Sequence, residues 1–140
     1  MIKYPARVEK DEPGYYAQFI DIPGAFTQGM TMEELMEMAE DALNETIAYM
    51  MSDNIEIPEP SDVQGEDIIY VKLLPEVALP LSIKKARKEL KASQGKIAQR
   101  IKVPYQSYQR WERAEKFNPT LKTLERIAKA LNKKIVIEFQ

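Results

Sequence analysis

The chain has 140 residues, 44% hydrophobic and 30% charged. That is enough apolar material for one domain or two small ones, and too much for a disordered segment. It contains no cysteine and no histidine, which excludes disulfides, thiolate or imidazole metal sites and every Ser–His or Cys–His nucleophile pair. No run nears the roughly 18 apolar residues of a membrane span, and Met1-Ile2-Lys3-Tyr4-Pro5 opens like a strand rather than a signal peptide. The net charge of −2 conceals a split. Residues 1–77 hold four Lys or Arg against 17 Asp or Glu, a balance of −13, and residues 78–140 hold 16 against five, a balance of +11. Segregation of this strength predicts two domains facing different partners, 1–77 acidic and 78–140 basic. A basic module of this size suits nucleic acid or is a solvated basic face, and the residue pattern must separate the two.

In chain order, residues 2–9 alternate loosely and predict a strand, and Lys10-Asp11-Glu12-Pro13-Gly14 is turn chemistry. Tyr15 to Ile20 predicts a second strand, Asp21-Ile22-Pro23-Gly24 a turn, and Ala25 to Gly29 a short third strand. Thr31-Met32-Glu33-Glu34 fits a capping box. A helical period follows through Met32, Leu35, Met36, Ala39, Ala42, Leu43, Thr46, Ile47 and Met50, with Glu33, Glu37, Glu40, Asp41 and Glu45 on the wet face. Ile68 to Leu73 predicts a fourth strand, giving β-β-β-α-β, and Pro75 to Pro80 reads as a linker.

The basic half predicts helices over 83–91, capped by Ser82, and 94–101, capped by Ser93. Helices over 105–113 and 121–131 follow, then a terminal strand over 135–139. The second and third helices have the pattern of a helix-turn-helix. Ile97, Ala98, Ile101, Val103, Tyr108 and Trp111 point inward, and the small Ala98 allows close approach. Tyr105, Gln106, Gln109 and Arg110 then face outward as base-contacting candidates, because Gln and Arg form paired hydrogen bonds to adenine and guanine edges. Gln94, Lys96, Arg100, Lys102, Arg113 and Lys116 are the phosphate-contacting candidates. Lys102 falls where the turn needs positive φ, at a cost of roughly 1–2 kcal/mol for a lysine.

Ser82-Ile83-Lys84-Lys85-Ala86-Arg87-Lys88-Glu89-Leu90-Lys91, Ser93-Gln94, Ala98, Ser107, Arg110-Trp111-Glu112-Arg113 and Asn118-Pro119-Thr120-Leu121-Lys122-Thr123-Leu124 resemble the Cro/CI (Xre) helix-turn-helix repressors over residues 82–134. Lys102 departs from the pattern, as does Ala114, where the family usually has glycine. The resemblance implies a dimer on a palindromic operator in double-stranded DNA, with half-sites about one helical turn apart. The apolar strand 135–139 is an unpaired edge that could meet its copy in a second chain to build that dimer or a higher homo-oligomer.

In the acidic half, Gly14-Tyr15-Tyr16, Phe19-Ile20-Asp21-Ile22-Pro23-Gly24, Thr27-Gln28-Gly29, Thr31, Glu33-Glu34-Leu35, Ala39, Ala42-Leu43 and Ile57-Pro58-Glu59-Pro60-Ser61 resemble the HicB antitoxins over residues 3–75. The resemblance implies an α+β protein: a β-β-β-α-β partial RNase H-like domain, non-catalytic, followed by an all-α helix-turn-helix domain with a terminal strand. It implies a partner too, a small basic HicA-type toxin that cleaves messenger RNA, and repression of the operon encoding both, in the bacterial cytoplasm. Tyr16, Gln18, Phe26 and Gln28, which alternate on one sheet face or near its edge, are the toxin-binding candidates. No metal, other cofactor, catalytic residue or membrane partner is expected. Two other functions compete: a repressor whose N-terminal domain senses a small ligand or only oligomerises, and a nuclease holding Mg²⁺ through Asp21, Glu33, Glu34, Asp41 and Glu45. The second lacks any Gly-rich phosphate loop or nucleophile elbow.

Overall fold

The computed structural model describes residues 1–140. Their contacts divide into two compact units, Met1–Val77 and Ala78–Gln140.

The first unit contains β1 (Lys3–Asp11), β2 (Gly14–Phe19), β3 (Phe26–Gly29), α1 (Met32–Ser52) and β4 (Ile68–Lys72). The four strands form one antiparallel sheet in the order β3-β2-β1-β4. The pleat sends alternate side chains to opposite faces. Ala6, Ala17, Phe19, Thr27 and Val71 go to the buried face, together with Leu35, Ala39, Leu43, Ile47 and Met51 of α1. Those five helical residues recur every four positions, the spacing of a stripe laid along a sheet. Met32 and Met36 were expected on the apolar face but lie off this stripe and are exposed.

Thr31 caps α1 by accepting from the Glu34 amide at 3.1 Å. The Glu34 carboxylate reaches back to the Met30 amide at 3.0 Å, one residue before the N-cap amide of a standard capping box. Gly29 lets this first turn settle on β3, since a Cβ there would come within 2.6 Å of the Leu35 amide nitrogen. Asn44, buried on α1, donates to the Lys72 carbonyl at 3.2 Å and accepts from the Leu74 amide at 2.7 Å, so its burial is satisfied. The irregular segment before β4 is fastened by the Tyr4 hydroxyl donating to the Pro58 carbonyl at 2.7 Å and by Ser61 donating to Asp21. Burial, then the nearby Glu59 and Asp21, pushes the Tyr4 hydroxyl up to about 12.

The second half of the chain differs from expectation at both ends. Pro75–Pro80, expected as a linker, is the first part of α2 (Pro75–Glu89). Proline suits a helix's first turn, where its missing N–H has no partner to lose. Pro80 does remove one interior hydrogen bond, and the burial of Val77, Leu81 and Ile83 offsets the loss. Ser82, expected as an N-cap, lies inside the helix and donates back to the Ala78 carbonyl at 2.8 Å.

Then follow α3 (Gln94–Ile101), α4 (Tyr105–Glu112) and α5 (Leu121–Ala130). Ser93 caps α3 and Thr120 caps α5, each accepting from the amide three residues on. The core is Ile83, Ala86, Ile97, Ala98, Ile101, Tyr108, Ile127 and Leu131, with Val103, Trp111 and Phe117 packed against it. Leu121, at the first turn of α5, is exposed. The expected terminal strand is absent from the single chain: residues 133–140 form no regular element, and Phe139 is 99% exposed. A lone terminal segment has no ladder to join, and a strand exists only through its hydrogen-bonded neighbour.

Candidate nucleic-acid interface and open sheet face

The geometry of the basic unit follows from one turn. Lys102 ends α3 in the left-handed conformation, φ 64° and ψ 48°. Its amide and that of Val103 return to the Gln99 and Ala98 carbonyls at 3.2 and 3.0 Å, closing the helix end in the manner of a Schellman motif. Pro104 then starts α4 with φ −59°, so the chain reverses into a second helix within three residues. Arg126 donates to the Ile101 carbonyl and Arg100 to the Ala130 carbonyl at 3.2 Å, pinning the ends of α3 and α5 together.

On α4, Tyr108 and Glu112 face the core. Tyr105, Gln106 and Arg110 are exposed and Gln109 half-buried, forming the i, i+4 stripe opposite. Tyr105 leans back toward α3, its hydroxyl 3.4 Å from Gln94 Oε1. Of the phosphate candidates, Lys96, Arg100, Lys102 and Lys116 are exposed, while Gln94 and Arg113 are half-buried. Ala114 and Lys116 have φ of 58° and 49°, so the loop after α4 uses the left-handed conformations that glycine would adopt more easily.

Sequence reasoning missed the polar centre of this unit. Glu112, 2% exposed, accepts from Arg87 Nε at 2.6 Å and Nη2 at 2.8 Å, and from Gln94 Nε2 at 3.1 Å. Arg87 Nη1 also donates to the Ala92 carbonyl at 2.9 Å. Burial by itself would raise the Glu112 carboxyl, but the hydrogen bonds from Arg87 and Gln94, together with the adjacent Tyr108 hydroxyl, outweigh it and hold the group below its usual range. Hydrogen bonding to Glu112 raises the Arg87 guanidinium. Burial, then the adjacent Glu112 carboxylate, drives the Tyr108 hydroxyl far upward. The available signal was Arg87 itself, a charged residue in the apolar register of its helix, which requires a buried acid opposite.

In the acidic unit the toxin-binding candidates come together. Tyr16 pairs with Gln28 and Gln18 with Phe26 across β2 and β3, on the sheet face away from α1. The Tyr16 and Phe26 rings are 5.7 Å apart, and Phe26 is 59% exposed. Beside them Arg7, Glu9, Tyr16, Gln18 and Ile20 line a shallow depression of about 310 Å³. The acids considered as metal ligands have other surroundings: Asp21 holds Ser61, Glu34 holds Met30, and Glu33, Asp41 and Glu45 are exposed.

Residues 83–137 match a helix-turn-helix family. Residues 3–84 match the family described as HicB_like antitoxin of bacterial toxin-antitoxin system. The chain belongs to the HicB-like antitoxin family. It is 39% identical over 110 residues to Antitoxin HicB 1 of Photorhabdus laumondii, covering 78% of this chain and 69% of that one. To Antitoxin HicB of Escherichia coli it is 34% identical over 110 residues, covering 78% and 79%. A solved structure titled HicA3 and HicB3 toxin-antitoxin complex shares 25% identity over 53% of this chain and all of that one, with a TM-score of 0.42. This HicB-like chain thus carries a mixed α+β N-terminal unit and a helix-turn-helix unit of the Xre type. No helix is long and apolar enough to cross a membrane.

Proposed function

We propose that this HicB-like chain is the antitoxin of a type II toxin–antitoxin pair. In this reading residues 1–77 capture and block a HicA-type mRNA-cleaving toxin, and residues 78–140 repress the operon encoding both. The observation that carries it is the union, in one chain, of a HicB-like unit of charge −13 and a helix-turn-helix unit of charge +11. A basic toxin is steered to an acidic surface, and the basic unit toward phosphate. The open face at Tyr16, Gln18, Phe26 and Gln28 is the capture surface, which leaves the acidic unit a binder rather than an enzyme. The DNA face reads bases through Tyr105, Gln106, Gln109 and Arg110. Its grip on the backbone comes from Gln94, Lys96, Arg100, Lys102, Arg113 and Lys116. The protein acts in the cytoplasm without a cofactor.

The dimer that a palindromic operator requires forms, in this reading, through the exposed tail Ile135, Val136, Ile137 and Phe139 pairing with its copy. An unchanged dimer after deletion of 135–140 would remove that element. The test of the whole is co-expression with the small open reading frame beside this gene. Rescue of growth together with a co-purifying complex supports the reading. A neighbour that is harmless alone, or that kills despite this protein, overturns toxin capture and favours a repressor whose N-terminal unit senses a ligand or only oligomerises.

A further inference from the structure

We infer that Glu112 is a positioning residue for DNA binding, orienting the Gln94 carboxamide so that one amide N–H stays available for a backbone phosphate. This rests on the DNA-binding reading above and specifies how one of its contacts is set.

The chemistry is one of donors and acceptors. A carboxylate only accepts, and an arginine only donates. Arg87 occupies both Glu112 oxygens, at 2.6 and 2.8 Å, and is itself anchored on the Ala92 carbonyl. The Glu112 carboxylate is therefore fixed in place at the buried end of α4. Gln94, 3.1 Å from Glu112 Oε1, can meet that oxygen only with its NH₂ group. Its own oxygen is left toward Tyr105, whose hydroxyl lies at 3.4 Å. The NH₂ group has two N–H bonds, and Glu112 takes one. The other is a donor of fixed direction at the start of α3, which suits an anion.

Without the carboxylate only the long Tyr105 hydroxyl contact bears on the terminal torsion of Gln94, which is broad and nearly two-fold. The amide oxygen would then face the phosphate about as often as the nitrogen. Glu112 never touches DNA in this account. It acts through Gln94, and Arg87 acts through Glu112.

The test uses the full chain and two duplexes of equal length, one from directly upstream of its own gene and one scrambled. Binding is followed by fluorescence anisotropy across a KCl series, below the melting range of each variant. Gln94→Met should weaken both duplexes about tenfold, the loss of one hydrogen bond to a charged group. The salt slope should not change, because no cation is removed. Glu112→Gln should weaken both by a similar factor, and the double variant should bind no worse than either single one. Unchanged affinity in either single variant, or losses that multiply in the double variant, overturns the inference while leaving DNA binding intact. Wild-type protein that binds neither duplex at low salt overturns the DNA reading and this inference with it.

If Glu112→Gln does not fold, the wild type still decides. In side-chain amide NMR, one Gln94 Hε should sit apart from those of exposed glutamines, and the duplex should move the other. Two ordinary resonances that DNA does not move overturn the inference.

Discussion

Arg87 of α2 donates two parallel hydrogen bonds, of 2.6 and 2.8 Å, to the carboxylate of Glu112 on α4, which is 2% exposed. Removing one partner strands a buried charge. Glu112→Ala should therefore cost about 3–5 kcal/mol, most of the stability of a domain this small. Replacing both residues with Met and Leu should cost far less, because no charge is then left behind. Chemical denaturation of the two variants checks this, and equal losses would contradict it.

The same pair sets a pH dependence. Glu112 is held below its ordinary value of 4.5 in the folded chain, so its stabilising contribution is complete above that value and disappears as pH falls through the lower, folded one. Thermal melts of the wild type should lose stability on acidification below about pH 4.5. In an Arg87→Met, Glu112→Leu background that part of the loss should vanish. A parallel decline in both proteins would place the titration elsewhere.

Lys102 at φ 64° offers a substitution whose two effects have opposite signs. Glycine relieves a left-handed lysine, worth roughly 1–2 kcal/mol, and returns about 0.4–1 kcal/mol through a floppier unfolded chain. Lys102→Gly should thus raise stability by roughly 0.5–1 kcal/mol. DNA binding should weaken on every sequence, with a salt slope smaller by about 1, if Lys102 holds a phosphate. Calorimetry and salt titration read the two effects separately.

Arg110 stands exposed on the outer stripe of α4. Arg110→Ala should weaken binding to the upstream duplex by roughly 1–3 kcal/mol more than to a scrambled one, if it reads a guanine. Equal loss on both duplexes would make it a phosphate contact instead.

Phe26, 59% exposed and tilted against the Tyr16 ring at 5.7 Å, tests the acidic unit. Phe26→Asp lies on the solvent side of an edge strand and should change stability by no more than about 0.5 kcal/mol. Capture of the neighbouring gene product should weaken by about 2 kcal/mol if Phe26 anchors the interface. Calorimetric titration checks it, and unaltered affinity would move the capture surface off this face.

What the amino-acid sequence determined by itself was everything governed by neighbours along the chain. The second strand, now seen as Gly14–Phe19, the Thr31 and Ser93 caps and the 94–101 helix are local chemistry, and all are present in the fold. So is the left-handed Lys102, demanded by the short reversal between two helices. The charge split is composition, readable without any fold. Tertiary structure decided what depends on residues far apart. Pro75 and Pro80 looked like a seam, yet burial of Val77, Leu81 and Ile83 carries a helix through them. Residues 135–139 had the pattern of a strand, but a strand needs a partner that a single chain does not supply. The Arg87–Glu112–Gln94 centre joins positions 25 and 18 residues apart. Only packing brings those groups out of water together, and only there does a carboxylate fix the direction of an amide.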